Sequence, residues 1–84
     1  MKTTFYDLSE ATRKAWGYDP YGADYENDIV FEDEMEGSIG NDATGDVLYF
    51  KLLSKKYENS LGLNDWDIEL TNIDQFPEIK EELE

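Results

Sequence analysis

The chain has 84 residues, room for one small domain, and its 21 acidic side chains outnumber 7 basic ones to leave a formal charge of −14. That charge repels nucleic acid and anionic membranes and attracts basic surfaces. Cysteine and histidine are both absent, which excludes a disulfide framework, a thiolate metal site and the commonest near-neutral acid/base.

Hydrophobic residues make up 39%, with 4 Phe, 6 Tyr and 2 Trp, enough for a modest core and against a fully disordered chain. Residues 1–7 lack the apolar stretch of a signal peptide, and no run approaches the length of a membrane span. The expected location is cytoplasmic, the host cytoplasm if a phage carries the protein.

Residues 7–17 predict the first helix. Asp7 and Glu10 have capping-box spacing, with Tyr6 and Ala11 placed as a hydrophobic staple. Leu8, Ala11, Thr12, Ala15 and Trp16 share one face, Arg13 and Lys14 suit the C-terminal end, and Gly17 is a stop. Trp16 reads as a core anchor. Residues 18–22, Tyr-Asp-Pro-Tyr-Gly, form a turn whose tyrosines cover the core edge.

The segment 24–36 separates at a period of two into unlike faces. Asp24, Glu26, Asp28, Glu32, Glu34 and Glu36 fall on one side, interrupted by Val30, and Tyr25, Asn27, Ile29, Phe31 and Met35 fall on the other, broken by Asp33. A first strand is expected over 27–36, followed by a glycine-rich connection over 37–45. A second strand over 46–54 is apolar on both faces apart from Lys51, which suggests the centre of a sheet. A third, over 65–71, puts Trp66, Ile68 and Leu70 inward and Asp65, Asp67 and Glu69 outward. Pro77 suits the first turn of a short C-terminal helix carrying Ile79 and Leu83. The expected architecture is a single compact α+β domain over 1–84: an N-terminal helix, a three-stranded antiparallel sheet and a short C-terminal helix. The helix should pack through Leu8, Ala11, Ala15 and Trp16 on Ile29, Phe31, Leu48, Phe50, Trp66 and Ile68.

Charge is segregated along the chain. No base occurs between Lys14 and Lys51, a window that holds Asp19, Asp24, Glu26, Asp28, Glu32, Asp33, Glu34, Glu36, Asp42 and Asp46. From Asp65 to the end Lys80 is the only base. Alternate residues on a strand lie about 6.6 Å apart and neighbouring strands about 4.8 Å apart. Carboxylates at that spacing offer a lysine- and arginine-lined cleft a DNA-like potential, and Arg–carboxylate pairs can replace Arg–phosphate pairs. Lys51 would neutralise part of the strip. An acid-rich surface kept for solubility is the plainer explanation, but such a surface mixes signs, and this one does not.

Other chemistry fits less well. A carboxylate pair working as acid and base needs a cleft that separates the two pKa values, which an open strand lacks. Segments 24–28 and 41–46 supply oxygen ligands, but neither has the EF-hand loop pattern, so no metal and no cofactor is expected. There is no phosphate-binding glycine loop and no basic patch for direct nucleic-acid binding.

In its base-free run, its strip Asp28/Glu32/Glu34/Glu36 and its second strip Asp65/Asp67/Glu69, the chain resembles the small acidic DNA-mimic inhibitors of phages and mobile elements. These include anti-CRISPR proteins, anti-restriction proteins and uracil-DNA glycosylase inhibitors. The class shares no common motif, so the resemblance transfers no individual residue. It implies a non-enzymatic inhibitor that occupies the basic DNA-binding cleft of a host protein, first of all a CRISPR effector nuclease. The expected partner-binding residues are Asp24, Glu26, Asp28, Glu32, Glu34, Glu36, Asp65, Asp67 and Glu69, with no catalytic residue. The alternative is an immunity or antitoxin protein that caps a basic toxin, anchored by Tyr18, Tyr21 and Tyr25. Monomer and homodimer stay equally open.

Overall fold

The computed structural model describes residues 1–17, 36–41 and 43–84. Their elements run β1 (Lys2–Thr4), α1 (Phe5–Trp16), β2 (Glu36–Gly40), β3 (Val47–Leu52), β4 (Tyr57–Glu58), β5 (Asn64–Asp65) and β6 (Asp67–Leu70). A 3-10 turn (Ile73–Gln75) and α2 (Pro77–Leu83) complete the order. β1, β6, β3 and β2 form one antiparallel sheet in that order, and β4 and β5 form a separate two-stranded ribbon. The fold is α+β, with an early helix, an antiparallel sheet and a short C-terminal helix as expected, but the sheet has four strands where three were expected, because β1 precedes α1 and joins it.

The first helix begins earlier than its sequence signal. Thr4 is the N-cap, and its hydroxyl accepts from the Asp7 N–H at 3.2 Å, so Asp7 lies inside the first turn instead of capping it. The reason is tertiary. Lys2, Thr3 and Thr4 pair with Glu69, Ile68 and Asp67, which sets the chain direction into the helix one turn before Asp7. The Phe5 N–H then donates to the Trp66 carbonyl at 2.9 Å and the Tyr6 N–H to the Asp65 carboxylate at 3.0 Å. Two of the N-terminal donors that a helix leaves unpaired are thus met by the β5–β6 junction, and the Thr4 cap meets a third. The other end is as read. Gly17, at φ 70°, closes the helix in the left-handed conformation and donates to the Arg13 carbonyl at 3.0 Å.

The expected strand over 27–36 lies outside the described residues except for Glu36. Among the described residues β2 runs over Glu36–Gly40 and so takes in four residues of the expected glycine-rich connection. Two residues explain this. Ile39 enters the core, and Gly37 faces Phe50 in register, where the phenyl ring occupies the space of a β-carbon. The glycine is therefore a packing residue of a strand. The connection proper is shorter. Asn41 donates its N–H to the Asp46 carbonyl at 2.7 Å and accepts from Gly45 at 2.8 Å, and Gly45 sits at φ 80°.

β3 and β6 fall where the alternation placed them. Leu48, Phe50, Ile68 and Leu70 are buried, and α1 brings Phe5, Leu8 and Ala11 into the same cluster. Phe5 meets Phe50 and Trp66 at ring-centroid distances of 5.8 and 5.7 Å, the latter edge-on. Ile29 and Phe31, expected in this core, lie outside the described residues. Two buried hydroxyls on α1 are satisfied locally: Ser9 donates to the Phe5 carbonyl and Thr12 to the Ser9 carbonyl. α2 begins at Pro77, as its missing N–H favours, and buries Ile79. It rests on α1 through an edge-on Trp16–Phe76 contact at 5.5 Å and a bond from the Trp16 indole to Glu78 at 3.3 Å. Among the described residues, no helix is long and apolar enough to cross a membrane.

Candidate interaction surface

The sheet has an inner face covered by the core and an outer face open to solvent. Strand alternation decides which carboxylates reach the outside. Glu36 pairs with Lys51, Lys51 with Glu69, and Glu69 with Lys2, so these four side chains form one row across all four strands. The row reads acid, base, acid, base. Glu69 also lies 3.7 Å from the terminal amine of Met1. Asp67 is exposed one pair further along, opposite Thr4.

Three of the expected partner-binding residues, Glu36, Asp67 and Glu69, therefore share one surface with Lys51 set between two of them. Asp65 does not join them. It is 2% exposed and accepts from the N–H groups of Tyr6 and Trp66 and from the Asn59 amide, at 3.0, 2.8 and 3.3 Å. Its strand breaks at Trp66, and β5 turns away to pair with β4. The carboxylate turns inward to hold the start of α1 and has no place on the outer strip. Asp24, Glu26, Asp28, Glu32 and Glu34 lie outside the described residues, as do Tyr18, Tyr21 and Tyr25.

Asp67 has a structural duty besides its exposure. Its carboxylate accepts from the Tyr57 hydroxyl at 2.8 Å, tying the small ribbon to the sheet. Partial burial, and then this bond to a carboxylate, push the Tyr57 phenol up to about 12. Between α1 and α2 an open cleft of about 360 Å³ is lined by Asp7, Glu10, Ala11, Lys14, Glu82 and Leu83. Its charges are partly paired. Arg13 lies 2.7 Å from Glu10, and its hydrogen bond holds that carboxyl below the usual range. Lys14 is 4.0 Å from Glu82. Among the described residues no group of three or more carboxylates is placed to hold a metal ion.

Two features of the outer face escaped the sequence reading. Tyr49 and Leu53 are exposed there, 53% and 50%, with no described layer over them. The signal was visible as the two-sided apolar run of the second strand, which suggested only a central position. Asn72 was not visible at all. Its side chain accepts from the Tyr49 N–H and donates to the Val47 carbonyl, serving β3 as a neighbouring strand would.

Comparison of the chain with protein-family models, with curated proteins and with solved structures finds no match.

Proposed function

We propose that this chain is a non-enzymatic inhibitor that presents DNA-like negative charge to the basic DNA-binding cleft of a nuclease or other DNA-binding protein, acting in the cytoplasm of the cell that carries the target. A CRISPR effector nuclease, blocked at its target-DNA site, is the first candidate. The observation that carries the proposal is segregation: no base between Lys14 and Lys51, in a chain of net charge −14. The mixed-sign row on the sheet sharpens where such contact belongs. With Lys51 between Glu36 and Glu69, that row is close to neutral, so it adds little to a mimic. The acid that a basic cleft would meet is the base-free run that enters β2 at Glu36.

Inhibition of DNA cleavage by CRISPR effectors and restriction enzymes, and of uracil release by uracil-DNA glycosylase, tests the proposal. The expected result is inhibition relieved by excess target DNA and by salt, because both compete for the same cations. Reversal of Glu32, Glu34 and Glu36 to Lys should abolish it. Inhibition that survives this triple reversal, or that ignores both DNA and salt, refutes the mimic.

A further inference from the structure

We propose that the outer face of the four-stranded sheet docks a second copy of this chain, face to face, about a two-fold axis parallel to the strands. The inference does not depend on the inhibitor reading. It starts from the apolar residues on and just after β3. Val47 and Tyr49 and, beyond Lys51, Leu53 lie on the outer side, and the residues beside Val47 and Tyr49 are small. Ser38 pairs with Tyr49, Gly40 with Val47, and the Thr71 N–H donates to the Tyr49 carbonyl. Tyr49 and Leu53 consequently stand above their surroundings, at 53% and 50% exposure.

Charge selects the occupant. A two-fold interface must be complementary to itself. The row Glu36, Lys51, Glu69, Lys2 meets that condition when reversed end to end. Glu36 then faces Lys2 of the copy and Lys51 faces Glu69 of the copy, in both directions. Lys2 and Lys51 are exposed and make no ion pair within the described structure, so they are available for this. The helix layer offers no comparable surface. Its carboxylates outnumber its bases, and each base there (Arg13, Lys14, Lys80) already holds a carboxylate. A partner of net charge −14 is repelled by that layer and accepted by the balanced sheet face.

Size sets the strength. Four strands of three to six residues at about 4.8 Å spacing make a face of less than about 400 Å² per copy, below the range of stable specific interfaces, so the dimer is weak and reversible. Its salt response has a distinctive sign. Repulsion between two acidic copies is screened over about 10 Å at 0.1 M salt, while apolar contact is not. The cross-copy ion pairs are screened as well, but exposed pairs contribute little, so relief of the repulsion between two copies of charge −14 dominates and dimerisation strengthens with salt, opposite to any grip on a basic partner.

Sedimentation equilibrium of the full chain, in low and then high sodium chloride, tests the proposal with no partner present. The expected result is a monomer–dimer equilibrium that shifts toward dimer at high salt. Tyr49→Asp should weaken it at least tenfold at every salt, and Lys51→Glu should weaken it by placing like charges opposite each other. The double variant Lys51→Glu/Glu69→Lys recreates a self-complementary row and should recover most of the association. Circular dichroism confirms that each variant is folded. A chain monomeric under all conditions overturns the proposal, as does salt-driven association that Tyr49→Asp leaves unchanged. Neither result bears on inhibition, which is assayed separately with the monomeric variant.

Discussion

Asp65 gives the sharpest test of how this fold is held. Its carboxylate is buried and accepts two backbone N–H groups, from Tyr6 in the first turn of α1 and from Trp66 beside it. Replacing it with alanine leaves both donors without this acceptor in a site closed to solvent. A buried unsatisfied donor costs about 1–3 kcal/mol. Loss of negative charge at a helix N-terminus adds about 0.3–1 kcal/mol. Partial water entry and the relief of one charge in an acidic molecule work the other way. The net expectation for Asp65→Ala is a loss of about 2–4 kcal/mol by these magnitudes. Asp65→Asn keeps an oxygen where Oδ1 accepts both N–H groups but turns an amide N–H toward the Asn59 amide that donated to Oδ2, so it should cost about 1–2 kcal/mol, less than alanine. Urea unfolding followed by circular dichroism, at unchanged slope, measures both. The reasoning fails if alanine costs under about 0.5 kcal/mol, or if asparagine costs as much as alanine, since the bonds would then not be what matters.

Gly37→Ala should destabilise by about 1–3 kcal/mol, because the new methyl meets the Phe50 ring and a packed core resists the shift; an equally stable variant in urea would show that the ring moves freely. The Tyr57 phenol titrates near 12 in the fold, above the usual tyrosine value of 10. The unfolded chain therefore loses that proton first, and stability falls as pH rises from about 10 to about 12. Tyr57→Phe should remove a component near pH 12 from the ultraviolet titration of the tyrosines, and an unaltered curve there would refute the assignment. With a net charge of −14, unfolding midpoints should rise from low to moderate sodium chloride as self-repulsion is screened; a flat or falling midpoint would contradict this.

What could be read from the sequence was what alternation and helix ends encode locally. Ile68 and Leu70 alternate with Asp67 and Glu69, Gly17 closes α1, and Pro77 opens α2, each through a preference of its own residue. What could not be read depends on partners far along the chain. β1 is too short to show a period and exists through pairing with β6, more than sixty residues away. Thr4 outcompetes Asp7 as cap because that pairing fixes where the helix starts. Asp65 fits the outward pattern by parity, but the break at Trp66 inverts it, and no local signal marks the break. Gly37 looked like a loop residue because its role, making room for Phe50, belongs to another strand.

These corrections change how the acidity of the chain should be understood. Three of the four outer-strip carboxylates expected among the described residues do reach solvent, but the cross-strand register delivers Lys51 between Glu36 and Glu69 and Lys2 beyond them. A sheet face built to imitate a phosphate backbone would not place its lysines there. The fourth, Asp65, is spent on α1. The charge that has no counter-ion in sequence is therefore the base-free run between Lys14 and β2, while the row across the sheet is close to neutral. The two proposed interactions then separate by their response to salt. A basic partner would be released by salt, while the sheet face would join copies more firmly as salt increases. Charge reversals at Glu32 and Glu34 should alter the first alone, changes at Tyr49 and Lys51 the second alone, and reversal of Glu36, which belongs to both, should alter both. Opposite salt slopes measured on one protein are the observation that this division of labour requires.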